Sequence, residues 1–236
     1  MWCRTFGIAG FSVFLGCWLA AAGAVRAQEA ATVYEGRAFA AGVDVPDGRV
    51  NEFITDTGAL SAEGGELAVS QDQASLPGLF GADLLVASVV GGSNRTTSSA
   101  SLANVVLFPG TPYELTVSFV RVEAQASVDG VTARVEISEL TFGGEAIVVT
   151  GEANQVVLIQ DVAILTLHEV IDTSAGDLHA IQVTAIRVQL LPTGAEIVLG
   201  YAEAGVRGGV PRPEPPKDFM TGGGWILVGG ERANFG

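Results

Sequence analysis

Val131-Thr132-Ala133-Arg134-Val135-Glu136-Ile137-Ser138 alternates apolar and polar side chains without a break. Successive side chains of an extended strand leave opposite faces, so Val131, Ala133, Val135 and Ile137 share a dry face and the four polar residues share a wet one. The same period of two runs through Thr32 to Val45, Gly65 to Gln71, Asp83 to Val90, Thr96 to Phe108, Tyr113 to Val128, Glu145 to Thr150, Val156 to Ile171, Leu178 to Leu191 and Ala195 to Val206. Helical spacing is almost absent. Turn residues separate the runs, among them Pro46-Asp47-Gly48, Asp56-Thr57-Gly58 and Pro192-Thr193-Gly194. Asp129-Gly130 lies between two valine-rich runs and predicts a type I′ hairpin with positive φ at both residues. Consecutive strands then pair antiparallel, and the expected fold is all-β, an antiparallel β-sandwich of about 9–11 strands.

Two runs carry irregularities. In Tyr113 to Val128 the apolar parity changes from Leu115, Val117 and Phe119 to Val120, Val122 and Ala124. A bulge or bend near Phe119 would explain it, with one long strand serving two faces. Val162 to Leu167 is apolar on both parities, which predicts a central strand covered on both sides.

Residues 1–27 read as a secretory signal peptide. Arg4 charges the start, Phe6 to Val25 contains no acid or amide, and Val25-Arg26-Ala27 fits the small-x-Ala rule for cleavage before Gln28. An uncleaved anchor and lipidation within Leu15-Gly16-Cys17 are the alternatives. The small-residue exit favours cleavage over the first. Phe14 and the continued apolar run through Trp18-Leu19 weigh against the second. Cys3 and Cys17 are the only cysteines, so the cleaved chain has no thiol, no disulfide and no thiolate metal ligand. The expected location is extracellular or on the cell surface, with the periplasm as alternative and no membrane span after cleavage.

The whole chain carries a net charge of −14, and loss of Arg4 and Arg26 leaves ten basic residues against 26 acidic ones, or −16. Such a surface repels nucleic-acid phosphates and anionic membranes, so no nucleic-acid role is expected. Residues 28–206 suffice for one β-sandwich ectodomain. Residues 207–217, with Pro211, Pro213, Pro215 and Pro216, read as a Pro-rich extended linker, and 218–236 as a Gly-rich C-terminal module too short to fold alone.

Motifs that could carry chemistry are few. Asp56-Thr57-Gly58 is the tripeptide of aspartic proteases, which need two carboxylates sharing a proton; only one such triplet is present, and turn chemistry alone accounts for it. His168 and His179 bracket a loop with Ser174, in which Glu169, Asp172, Asp177 and His179 are the candidate metal ligands, although their spacing matches no established metal motif. His168 shares the parity of Val162 and Ile164, the position of a hydrogen-bonded histidine at the core edge. A Ser174, His179 and Asp172 triad would need a nucleophile elbow, and no G-x-S-x-G occurs. Outside the leader the only tryptophan is Trp225, beyond the sandwich, so no aromatic platform for sugar is expected.

Tyr34-Glu35-Gly36-Arg37-Ala38-Phe39, Asp56-Thr57-Gly58-Ala59-Leu60, Ser98-Ser99-Ala100-Ser101-Leu102-Ala103-Asn104-Val105, Gly151-Glu152-Ala153-Asn154-Gln155 and Gly194-Ala195-Glu196-Ile197-Val198 with Ala202-Glu203-Ala204 occur in order across residues 33–206. Together they resemble the choice-of-anchor P family of bacterial exported proteins. The resemblance implies a secreted or surface β domain with no catalytic residues to transfer. Asp218 to Ile226 followed by Ala233-Asn234-Phe235-Gly236 is similar to the opening of a glycine-rich module that follows such ectodomains, here expected to be truncated, and no recognised anchor is visible.

The expected function is a non-catalytic secreted or cell-surface β domain serving envelope structure, adhesion or matrix, without catalytic residues or cofactor, and with other envelope or matrix components as its partners. The alternatives are a secreted hydrolase built on Asp56 or the His168–His179 loop, and a divalent-cation or ligand-binding module using an exposed sheet face. Mass spectrometry of secreted material is expected to find Gln28 at the N-terminus, and a reductant should leave the thermal midpoint unchanged. A retained leader, or a lipid on Cys17, would contradict this reading.

Overall fold

The computed structural model describes residues 32–46, 50–159 and 161–208, together with the strands 224–228 and 231–235. The expected signal peptide, the expected turn residues Asp47 and Gly48, and the stretch from 209 to 223 in which the Pro-rich linker was expected lie outside the described residues.

Alternation of the kind seen at Val131 to Ser138 produces strands throughout. They are β1 (Val33–Val45), β2 (Val50–Asp56), β3 (Gly65–Leu76), β4 (Phe80–Gly92), β5 (Arg95–Leu107), β6 (Leu115–Ser127), β7 (Gly130–Ser138), β8 (Thr141–Phe142), β9 (Glu145–Ala146), β10 (Gln155–Ile159), β11 (Ala163–Asp172), β12 (Leu178–Leu190) and β13 (Glu196–Arg207). No helix occurs among the described residues. The strands form two antiparallel sheets packed face to face. One runs β10-β11-β12-β13-β1-β2. The other runs β3-β4-β5-β6-β8-β9, with β7 also pairing β6. The protein is an all-β sandwich of thirteen strands, eleven of them five residues or longer. Beyond it, β14 (Gly224–Val228) and β15 (Glu231–Phe235) pair in a two-stranded sheet of their own, so the Gly-rich segment does contain a hairpin.

The first and last strands of the sandwich meet at the middle of the six-stranded sheet, in register from Val33 opposite Arg207 to Asp44 opposite Glu196. Four of their inward residues are small: Ala38, Ala40, Ala202 and Ala204 are fully buried. A Cβ on Gly36 would lie 2.7 Å from Val89 Cγ1 on the facing sheet, so the sheets approach closely there. Thr96 and Ser98 of β5 donate their hydroxyls to the Gly205 and Glu203 carbonyls of β13, which satisfies buried polar groups across the interface.

The long strands reverse their inward parity at one level. In β5 the buried residues are Thr96, Ser98, Ala100 and Leu102, then Val105 and Leu107; in β6 they are Leu115 and Val117, then Val120, Val122, Ala124 and Ala126. Residues of left-handed backbone sit at the switch: Leu84 (φ 47°) and Asn104 (φ 49°) in this sheet, and Thr55 (φ 54°), Gly200 (φ 69°) and His168 (φ 51°) in the other. The change expected near Phe119 therefore occurs, but for a different reason. Because β5 and β6 switch together, Leu102 opposite Val120 and Val105 opposite Val117, both halves of each strand face the same core. In the six-stranded sheet the crease points inward, with Ala40 and Ala41, Leu199 and Gly200, and Ala185 and Ile186 adjacent in sequence and buried in one core.

Three local expectations are corrected. Val156 to Ile171 is two strands, β10 and β11, joined by a tight turn. The Val162 to Leu167 segment is accordingly not central: β11 lies one strand from the edge, and its outward Ile164 pairs with the exposed Leu158 of β10. At the β6–β7 hairpin Ser127 opposes Gly130, so Val128 and Asp129 are the loop residues, and positive φ falls on Gly130 (138°) alone of the Asp129-Gly130 pair.

At the crease a Cβ on Gly200 would lie 3.2 Å from Val120 Cγ1 and 3.3 Å from Ala185 Cβ, in a backbone conformation that disfavours side chains. Gly200→Ala is expected to lower stability by about 2 to 4 kcal/mol, combining overpacking with the conformational penalty. Gly81→Ala, where a Cβ meets nothing within 4 Å, should change it little. Denaturant titration of both variants checks the contrast.

Candidate functional site

The inward crease has an outward consequence. Outward residues of a strand ordinarily recur every second position, but here they are three apart: Phe39 then Gly42 on β1, Tyr201 then Val198 on β13, Asp56 then Phe53 on β2. Cross-strand pairing aligns them, with Asp56, Phe39, Tyr201 and Thr184 in one row and Phe53, Gly42, Val198 and Arg187 in the next. Between the rows lies a groove of about 240 Å³, with Asp44, Asn51 and Glu196 at its polar side.

Aromatic rings form its floor and one wall. Phe39 stacks on Tyr201 with centroids 4.7 Å apart and planes 12° from parallel, and meets Phe53 at 4.8 Å, tilted by 56°. Gly42 makes this arrangement fit, since a Cβ there would sit 3.0 Å from Phe39 Cε2 and 3.3 Å from Phe53 Cδ1. Phe39 is thereby only 6% exposed, whereas Phe53 is 44% exposed. The Arg37 guanidinium lies 4.5 Å from the Phe53 centroid and 5.6 Å from that of Phe39, within cation–π range.

The charged groups around the rings are held in place. Arg37 donates from Nε to Asp56 Oδ1 at 3.0 Å and from Nη2 to Oδ2 at 2.7 Å. Arg187 donates from Nε and Nη2 to Glu169 Oε2, at 2.9 and 2.6 Å, and from Nη1 to Glu196. The Tyr201 hydroxyl donates to Glu203 Oε2 at 2.8 Å. Burial pushes the Tyr201 phenol well above its ordinary pKa, and the Glu203 carboxylate adds to the shift. Burial alone would raise the Asp56 carboxyl, but the Arg37 hydrogen bonds, the Gly58 amide and the Arg37 charge outweigh it, so its pKa lies below the usual value.

The residues singled out from sequence are dispersed. Asp56 ends β2, and its Oδ1 also accepts the Gly58 N–H at 3.0 Å while Gly58 takes φ 69°, which is the geometry of a turn. Glu169 points to the outer face and is committed to Arg187. Asp172 ends β11 and accepts the Ser174 N–H at 2.9 Å; hydrogen bonding from Ser174, its side chain first and its N–H second, holds the Asp172 pKa down. Ser174 Oγ accepts from the Ala180 amide, and Asp177 and His179 lie where the chain enters β12. Among the described residues no group of three or more His, Cys, Asp and Glu is arranged to hold a metal ion. His168 has its Nδ1 3.1 Å from the Gly151 carbonyl oxygen and its Nε2 buried without a partner; its left-handed backbone breaks the parity shared with Val162 and Ile164.

The aromatic cluster was not legible from sequence, where a platform was sought as tryptophan. Phe39, Phe53 and Tyr201 are ordinary strand residues until pairing brings them together. The available signal was weak: an arginine two residues before Phe39, and Phe53 beside Asp56. No family model matches the chain, and no curated protein or solved structure is similar to it at a significant level.

Because the folded Asp56 pKa is depressed, its contribution to stability is present above the unfolded-state value of about 3.9 and is lost as pH falls through the lower folded value. Asp56→Asn should cost about 0.5 to 2 kcal/mol at neutral pH, the range for a half-exposed charge-assisted pair. The difference from the parent chain should shrink below about pH 4. Thermal melts across that range provide the check.

Proposed function

We propose that this chain is a non-catalytic β ectodomain of an exported protein of the choice-of-anchor kind, and that it acts by binding an envelope or matrix polysaccharide through the outer face of its six-stranded sheet. The observation that carries this reading is the groove at the crease. Exposed Phe53 and half-buried Tyr201 offer apolar surface, and Asn51, Asp44, Glu196 and Arg187 stand beside them as hydrogen-bonding groups. Sugar rings present the matching combination, apolar C–H faces with hydroxyls around the edge, and recognition sites of this type pair apolar area with a few fixed polar groups. Preorganisation supports the same conclusion. Both arginines are held by carboxylates and Phe39 is locked between two rings, so little side-chain entropy remains to be lost on binding.

The Asp56 carboxylate, the residue on which the hydrolase alternative rests, is engaged by Arg37 and the Gly58 amide, and the binding reading uses it as the clamp that holds Arg37 over Phe53. Co-sedimentation with insoluble envelope polysaccharides, peptidoglycan among them, tests the proposal. Phe53→Ala is expected to weaken retention by about tenfold, as for loss of a central aromatic contact, while the variant remains folded with only a modest drop in thermal midpoint. Retention unchanged in this variant, or none on any polysaccharide, overturns the assignment.

A further inference from the structure

A second cavity, sharing no residue with the crease groove, opens at the end of the sandwich where loops of both sheets converge. Its volume is about 220 Å³, and its walls are Phe108, Tyr113, Phe142, Val162, Leu190 and Pro192. Asp161 and Thr193 complete the lining. Three connections and one short strand build it: the β5–β6 loop, the β10–β11 turn, the β12–β13 turn with the end of β12, and β8.

The walls are fixed in advance. Phe108 adopts left-handed backbone (φ 53°), a conformation costly for a bulky residue, and its neighbourhood holds it there. Its N–H donates to Leu79 O at 2.9 Å, and its carbonyl accepts from both the N–H and the hydroxyl of Thr111. Gly110 N–H donates to the Glu114 carboxylate at 2.7 Å, and Gly143 N–H to the Glu114 carbonyl at 2.9 Å, tying the turn that carries Phe142 to the loop that carries Tyr113. On the other side Leu191 N–H donates to Val162 O at 3.0 Å, joining the two turns of the six-stranded sheet.

We infer that this pocket binds a methylated ammonium group, of the kind carried by choline. Three aromatic residues, Phe108, Tyr113 and Phe142, line a cavity of about 220 Å³, a size that suits a small headgroup, and aromatic rings attract cations through their quadrupole. Asp161 brings an acidic residue to the lining, and among the described residues no arginine pairs with it. The chain as a whole is strongly acidic, with 26 acidic residues against 12 basic ones. A methylated ammonium is favoured over a primary one because its charge is spread over methyl groups that need contact and no acceptors. A primary ammonium would bring three N–H donors into a mostly apolar pocket.

Titration of the purified chain with choline, followed by NMR, tests this. Saturable shifts are expected in residues 108–114 and 161–162, with a Kd on the order of 1 mM. The neutral isostere 3,3-dimethylbutan-1-ol should bind roughly threefold to thirtyfold more weakly, the range expected of a cation–π and carboxylate contribution. Asp161→Asn keeps a residue that tolerates the left-handed backbone at this position (φ 57°) and should weaken choline without affecting the isostere. Tyr113→Ala, at a side chain 51% exposed, should weaken both while leaving the fold intact. Equal affinity for choline and the isostere, indifference of choline to Asp161→Asn, or no shift at all overturns the assignment. Tighter binding of butylammonium than of choline overturns the choice of a methylated group.

Discussion

The crease across the six-stranded sheet is the constraint on which the rest of the molecule depends. A strand with a strict period of two, carrying Leu199 and Ala202 on opposite parities, would have to leave one of them in water. Left-handed backbone at Gly200, Thr55 and His168, on alternate strands, lets the parity change without breaking register. Both halves of the long strands then contribute to one core. The same step brings two consecutive residues inward on each strand and leaves a gap between successive outward residues, and that gap is the groove under Phe53, Tyr201 and Arg187. Core and candidate site are two sides of one backbone feature.

Charge placement follows a related logic. The chain has few cations, and two of them, Arg37 and Arg187, stand on the outer face of this sheet with carboxylates on β2, β11 and β13 holding them. Guanidinium suits both tasks required there: its planar fork meets a carboxylate with two bonds, and its face lies over an aromatic ring, as Arg37 does over Phe53. Lysine could do neither in the same way. The outcome is a face whose two arginines are each held by carboxylates and whose aromatic rings pack against one another and against Arg37.

Much of the fold was legible because β-alternation is a property of neighbours along the chain. Val131 to Ser138, Thr96 to Phe108 and Ala195 to Val206 fall where strands form, to within a few residues. β2 was missed because Phe53 and Ile54 lie between polar residues and beside a turn tripeptide, so no clean alternation marks them. The break between β10 and β11 was missed because Gln160 and Asp161 interrupt an apolar run without glycine or proline, and Asp161 supplies the positive φ that a glycine would otherwise signal. The parity change at Phe119 was visible in β6 alone, but its cause was not, since it requires β5 and β6 to switch together.

The sequence by itself determined the all-β class, the antiparallel order of neighbouring strands, and the scarcity of cysteine and histidine. These follow from alternation, turn residues and composition, which need no knowledge of partners in space. Only the tertiary structure decided where the crease groove and the end pocket lie. Phe39, Phe53, Arg187 and Tyr201 come from four strands and meet because β1 pairs with β13, an association between the two ends of the domain. The pocket at the end of the sandwich likewise draws on three loops and the short strand β8, from both sheets. Such surfaces are set by long-range register and by the close approach that small residues such as Gly36 and Gly42 permit, and no local pattern of residues encodes either.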